Sequence, residues 1–214
     1  TDQHTPAATV LTSAQAVLRV AAPLAFDSGG QQPVGASKYT GSSHTMRVTV
    51  AGGAAPLSYY WSKTGKAGTL PKIGSPEITL NPLAPADSGS YTCRVVDAWD
   101  SQITSSAVSL LVADHIAFVS QPTGGIVSPG ATKTLSVAVS GGLGQVHYQW
   151  KHYDAPVGSD AAAYTILSMA SEDVGTYLCE VSDDYETHSS DSVQITLFTP
   201  EGEPVEGQPA EGEP

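Results

Sequence analysis

Histidines, cysteines and one acidic loop are the side chains of this chain whose chemistry could serve catalysis or metal binding. The histidines are His4, His44, His115, His147, His152 and His188. No two of them share metal-ligand spacing on one strand, and His147 and His152, five apart across Trp150, point to opposite faces of an extended segment. Asp183, Asp184 and Glu186 form an acidic cluster that could take calcium, although they do not fit an EF-hand loop. A solvated acidic loop is the plainer expectation. There is no G-x-S-x-G, H-E-x-x-H or Walker loop. Gly141-Gly142-Leu143-Gly144 follows a strand pattern but opens no helix, so it lacks the aligned N–H groups of a phosphate cradle. No serine has a His/Asp pair beside it, and no carboxylate pair suited to glycoside cleavage stands out. These residues predict no enzyme, no cofactor and no metal centre beyond that calcium candidate.

The elements that must position these side chains come as a repeat. His147-Tyr148-Gln149-Trp150-Lys151 matches Ser58-Tyr59-Tyr60-Trp61-Ser62-Lys63, the tryptophans standing 89 apart. Asp173-Val174-Gly175-Thr176-Tyr177-Leu178-Cys179 matches Asp87-Ser88-Gly89-Ser90-Tyr91-Thr92-Cys93 at an offset of 86. A period near 90 suits a small domain rather than a solenoid unit. Met46, Val48 and Val50 alternate with polar residues, as do Leu135, Val137 and Val139, and Val193, Ile195 and Leu197. This period of two means strands with one buried face, broken by Gly-Gly pairs at 52–53 and 141–142. The fold class expected is all-β, with two tandem sandwiches.

A mid-domain Trp followed by D-x-G-x-Y-x-C, present twice, resembles the immunoglobulin superfamily, and most closely the tandem Ig-like repeats of bacterial extracellular proteins. The resemblance implies Trp61 and Trp150 on strand C, and Tyr91 and Tyr177 as tyrosine corners on strand F. Cys93 and Cys179 complete the structural core. The family's other cysteine would fall at Val48 and Val137, so neither thiol has a partner in its own domain. Both are expected to pack as buried hydrophobes.

The expected organisation is residues 1–22 as an orphan last strand or connector, 23–113 and 114–199 as Ig-like domains, and 200–214 as an acidic linker of x-E-G-E/Q-P pentapeptides, disordered or extended. Residues 12–21 read like 104–113, and Leu24-Ala25-Phe26 like Ile116-Ala117-Phe118. Val17, Leu18 and Val20 thus read as apolar positions of an extra N-terminal strand, either a truncation scar or a strand donated to a neighbour.

Nine Lys and Arg stand against twenty-one Asp and Glu, giving −12. No basic surface remains to displace counterions from phosphates, so nucleic acid is excluded as a partner. No apolar run is long enough to span a membrane. Residues 114–199 carry ten acidic and two basic residues, while residues 23–113 are near neutral. In the family layout the FG loop of repeat two faces the base of repeat one. Asp183, Asp184 and Glu186 are therefore expected to meet Lys63 and Lys66, with Tyr185 packed in the joint. Trp99 holds the equivalent place in repeat one and is the expected anchor toward whatever precedes it.

The leading expectation for function is an extracellular or cell-surface structural module, a stalk or fibre segment of a bacterial surface protein assembling head-to-tail through its domain ends. Its partners would be other copies or further repeats. One alternative is an adhesin or glycan- or protein-binding module using the Trp99 loop or exposed Tyr59, Tyr153 and Tyr164. Another is an ancillary domain pair of a secreted enzyme.

Overall fold

The computed structural model describes residues 14–15, 17–27, 32–64, 70 and 74–199. All its regular elements are strands, apart from single 3-10 turns at Pro85–Asp87 and Ser171–Asp173. In repeat one they are β1 (Ala25–Phe26), β2 (Ala36–Tyr39), β3 (His44–Arg47), β4 (Val50–Ala51), β5 (Ser58–Lys63), β6 (Glu77–Leu80), β7 (Gly89–Val96), β8 (Gln102–Thr104) and β9 (Val108–Ala113). In repeat two they are β10 (Ala117–Ser120), β11 (Gly125–Val127), β12 (Lys133–Ser136), β13 (Ala138–Ser140), β14 (His147–His152), β15 (Ala155–Val157), β16 (Ala163–Ile166), β17 (Gly175–Ser182), β18 (Thr187–Ser189) and β19 (Val193–Leu197).

The described residues fall into two compact units. The first takes in those of Thr1–Pro33, Arg47–Ile78 and Thr92–Ala107, and the second Val34–Met46, Thr79–Tyr91 and Val108 onward. In the first unit β1 pairs with β4, and the end of β7 pairs with β8. Val48, Trp61, Ile78, Cys93 and Val95 are buried there. The Trp61 indole N–H donates to the Ser75 carbonyl at 3.2 Å.

The second unit holds all of repeat two. Its larger sheet runs β11-β19-β17-β14-β15, with β18 also on β17; β10 pairs with β13 and β12 with β16. Strand β17 shows why the alternation works: Tyr177, Cys179 and Val181 are buried and the residues between them half-buried. They close a core with Leu135, Val137, Trp150, Ile166, Met169 and Ile195. Each such large apolar side chain contributes roughly 1.5–3 kcal/mol relative to exposure. Trp150 donates its indole N–H to the Ala161 carbonyl at 3.1 Å, so this buried nitrogen keeps a partner. Both tyrosine corners are formed: Tyr91 and Tyr177 donate to the carbonyls of Asp87 and Asp173, at 2.6 and 2.9 Å.

Cys93 and Cys179 are free and buried, with Val48 and Val137 buried where a disulfide partner would stand. Burial pushes both thiols up to about 11. The strand expected over the N-terminal residues is not formed among 14–15 and 17–21. Val17, Leu18 and Val20 are 78, 88 and 83% exposed. A strand needs a neighbour for its N–H and C=O groups, and these residues have no strand pairing. Tyr59 and Tyr164 also depart from expectation, being half-buried rather than exposed. Tyr164 stacks against Trp150 and Tyr177, with centroids at 6.4 and 6.0 Å. Tyr153 is exposed.

Two measurements check this core. Tyr177→Phe leaves the Asp173 carbonyl without its donor and lowers stability by about 1 kcal/mol, read as a shift of the urea midpoint at unchanged slope. A thiol reagent at neutral pH labels neither cysteine in the native chain and both after denaturation.

Candidate functional site

Among the described residues a set of polar and aromatic contacts brings together β2, the 113–116 segment and the loop from β17 to β18, all within the second unit. It begins with two glycines. Gly141 and Gly142 have φ of +79° and +95°, so the chain after β13 turns through left-handed backbone. A Cβ on Gly141 would come within 2.2 Å of the His115 carbonyl oxygen. The close approach lets the Gly142 N–H donate to the Asp114 carbonyl at 2.9 Å, tying the linker between the repeats to repeat two.

Asp183 caps this turn from the other side. One carboxylate oxygen accepts from the Tyr185 and Glu186 N–H groups at 2.9 and 3.0 Å, and the other from the Leu143 N–H at 2.6 Å. The Tyr39 hydroxyl, at the end of β2, then spans both oxygens at 2.8 and 2.7 Å. Partial burial pulls the Asp183 carboxyl upward, but the tyrosine and the three N–H donors outweigh it, holding it down to about 2. Burial, and then this same carboxylate, push the Tyr39 phenol well above its usual range.

The Tyr39 ring is framed on two sides. It stacks on His115 at 4.3 Å with 18° between planes, and meets Tyr185 edge-on at 6.4 Å. His115 is held in turn by Glu186: its Nδ1 lies 2.7 Å from Oε2, while Oε1 accepts the Ile116 N–H at 2.6 Å. His188 approaches the same carboxylate at 3.4 Å. Burial acts to raise the Glu186 carboxyl, and these donors together lower it below the ordinary value. Thr40 closes the set, donating to the Asp114 carboxylate at 2.6 Å.

The donor to Asp183 is a tyrosine hydroxyl, not a lysine; Lys63 lies at the end of β5 in the first unit, and Lys66 lies outside the described residues. Tyr185 contributes its edge while remaining 64% exposed. Asp184 is exposed, next to Gly144. Among the described residues no group of three His, Cys, Asp or Glu side chains is placed to hold a metal ion. The carboxylates of Asp183 and Glu186 are already taken up by hydrogen-bond donors, which accounts for this. The pentapeptide tail, 200–214, lies outside the described residues.

Repeat one carries the same loop apparatus in the first unit. Asp97 accepts from the Ala54, Trp99 and Ser101 N–H groups at 3.0, 2.9 and 2.9 Å. The Ala54 N–H is the largest cause of a lowered Asp97 carboxyl, to which the Ser101 side chain adds. Trp99 stands where Tyr185 stands, 52% exposed, beside a cleft shared with Arg19, Val20, Ala21, Gly53, Ala54 and Ala55.

Residues 35–106, a third of the chain, match the immunoglobulin domain family model. The same architecture recurs in solved structures. A three-domain immunoglobulin segment of titin superposes with a TM-score of 0.62 at 20% identity, covering 82% of this chain and 66% of its own. Immunoglobulin domains 1–5 of Sidekick-1 give 0.66 at 16% identity, covering 84% and 40%. The fold is tandem immunoglobulin-like. Among curated proteins, the mouse homologue of mucosa-associated lymphoid tissue lymphoma translocation protein 1 is 26% identical over 159 residues, 66% of this chain and 19% of its own length. The decoration protein of Escherichia phage T5 is 40% identical over 58 residues, 27% of this chain and 35% of its own. The chain spans about a fifth of the length of the curated relatives it matches first.

The Asp183 site sets a pH dependence. Its carboxyl is depressed when folded, so the unfolded chain binds the proton more readily in acid. The stabilisation it gives is complete above its unfolded value, near 4, and is lost as pH falls toward about 2. Urea midpoints measured across that window drop in the parent chain, and drop less in Asp183→Asn.

Proposed function

We propose that the chain is a non-catalytic, extracellular or surface-borne structural module: two immunoglobulin-like sandwiches, residues 23–113 and 114–199, locked as a pair and joined head-to-tail with neighbours through their ends. The observation that carries this reading is Tyr39 set between His115, Tyr185 and the Asp183 carboxylate. A flexible string of domains needs no such contact, since loop residues alone suffice as a tether. Here a buried-edge aromatic, a shared carboxylate and the Thr40–Asp114 bond all act on one short linker. The joint is polar and small, which suits fixing an angle rather than supplying affinity.

The tandem fold itself is shared with multi-domain immunoglobulin segments of titin and Sidekick-1. A viral decoration protein is also among the relatives, which fits a bacterial or phage surface setting for the module. The net charge of −12 is compatible with a solvated surface segment and not with nucleic acid.

The test is whether the two repeats move together. Residual dipolar couplings from amides of both repeats fit one alignment tensor in the parent chain. In Tyr39→Ala they require two, while each repeat still unfolds cooperatively in urea because the buried core residues are unchanged. Two independent tensors in the parent chain would overturn the reading.

A further inference from the structure

Repeat one carries, around Asp97 and Trp99, a loop arrangement like the one repeat two carries around Asp183 and Tyr185. The match extends through the linker. Gly53 donates to the Ala22 carbonyl at 2.8 Å as Gly142 does to that of Asp114. A Cβ on Gly52 would strike the Pro23 oxygen at 2.1 Å, as one on Gly141 would strike that of His115. Ala22, Pro23 and Leu24 therefore take the places of Asp114, His115 and Ile116. Continuing the same offset backward, Leu18 and Val20 take the places of Leu110 and Val112 in β9. Leu110 and Val112 are 2 and 4% exposed, whereas Leu18 and Val20 are 88 and 83% exposed.

We infer that the pole formed by Pro23, Asp97 and Trp99 is a socket for an immunoglobulin-like sandwich placed ahead of repeat one in the same polypeptide, which inserts a tyrosine from the end of its β2-equivalent strand. This rests on the structural-module reading and names the partner at its N-terminal end. Two features of this pole specify the occupant. Asp97 accepts three N–H groups as Asp183 does, with Ser101 in place of the residue equivalent to Glu186, and at 6% exposure it also holds the Ser101 side chain, so an incoming hydroxyl must replace that of Ser101. Pro23 and Trp99 offer two apolar faces where His115 and Tyr185 frame Tyr39, and a cleft of about 340 Å³ opens beside Trp99. The partner comes in cis because the chain entering the socket already has the sequence of its last strand: Val17-Leu18-Arg19-Val20-Ala21 corresponds to Ser109-Leu110-Leu111-Val112-Ala113. The far end of repeat two does not offer the key. The β2–β9 and β11–β19 registers place Ser128 where repeat one has Tyr39. A second copy of the chain is therefore a poorer occupant than a tyrosine-bearing repeat.

The chain supplies its own probe. An internal duplication joins residues 1–113 directly to residues 22–214, so that a first repeat carrying Tyr39 precedes the socket with Ala22 standing in for Asp114. Trp61 and Trp150 are buried, so acrylamide quenching reports Trp99. With Trp99→Phe in the added copy, the remaining Trp99 loses most of the quenching seen in the parent chain. Tyr39→Ala in the added copy restores it. Quenching equal to the parent, or a duplicated chain that does not unfold cooperatively, overturns the socket. Neither result touches the joint at Asp183, whose dipolar couplings are measured on the parent chain. Two tensors there would instead remove the reading on which the socket rests.

Discussion

A carboxylate withdrawn from water must be given donors, and Asp183 obtains its own from three separate stretches of chain. Leu143 comes from the turn after β13, Tyr185 and Glu186 from the loop after β17, and Tyr39 from repeat one. Each donor alone is worth little net, because each would otherwise bond to water. Together they form a shared requirement: if one segment moves, the charge is left short of partners in a half-buried position. The loop shape, the linker path and the docking of β2 are thus coupled through a single ionised side chain, and the ring contacts of His115 and Tyr185 sit on that foundation.

The second layer is the use of glycine to let backbones meet. Gly52 and Gly141 bring a loop within hydrogen-bonding distance of the incoming linker, where any side chain would collide with a carbonyl. The same device appears at both poles although only the second pole has its tyrosine. The glycine-dependent turn is therefore a feature of each repeat, while the tyrosine is present at the Asp183 site.

The cores contribute in a different manner. Trp61 and Trp150, with the cysteines beneath the tyrosine corners, are packed without a disulfide. Both thiols are buried, and that burial pushes them up to about 11. The apolar cores and the polar contacts around Asp183 thus rest on different residues.

The sequence by itself determined the all-β class, the two repeats, the tryptophan, tyrosine and cysteine positions of the cores and the lack of a disulfide partner at Val48 and Val137. These arise from local alternation and from spacing within one domain, which a linear reading can trace. It also marked the Asp183 to Glu186 loop and Trp99 as places to look, because they are equivalent and unusual for a loop. It did not disclose the contacts of Tyr39, His115 or Thr40 around Asp183. Charge is visible along a chain, whereas a hydroxyl reaching a carboxylate 144 residues away is not. Nor could alternation show whether residues 17–21 pair: a strand pattern says which face is apolar, and only the tertiary structure decides whether a neighbour is there to cover it.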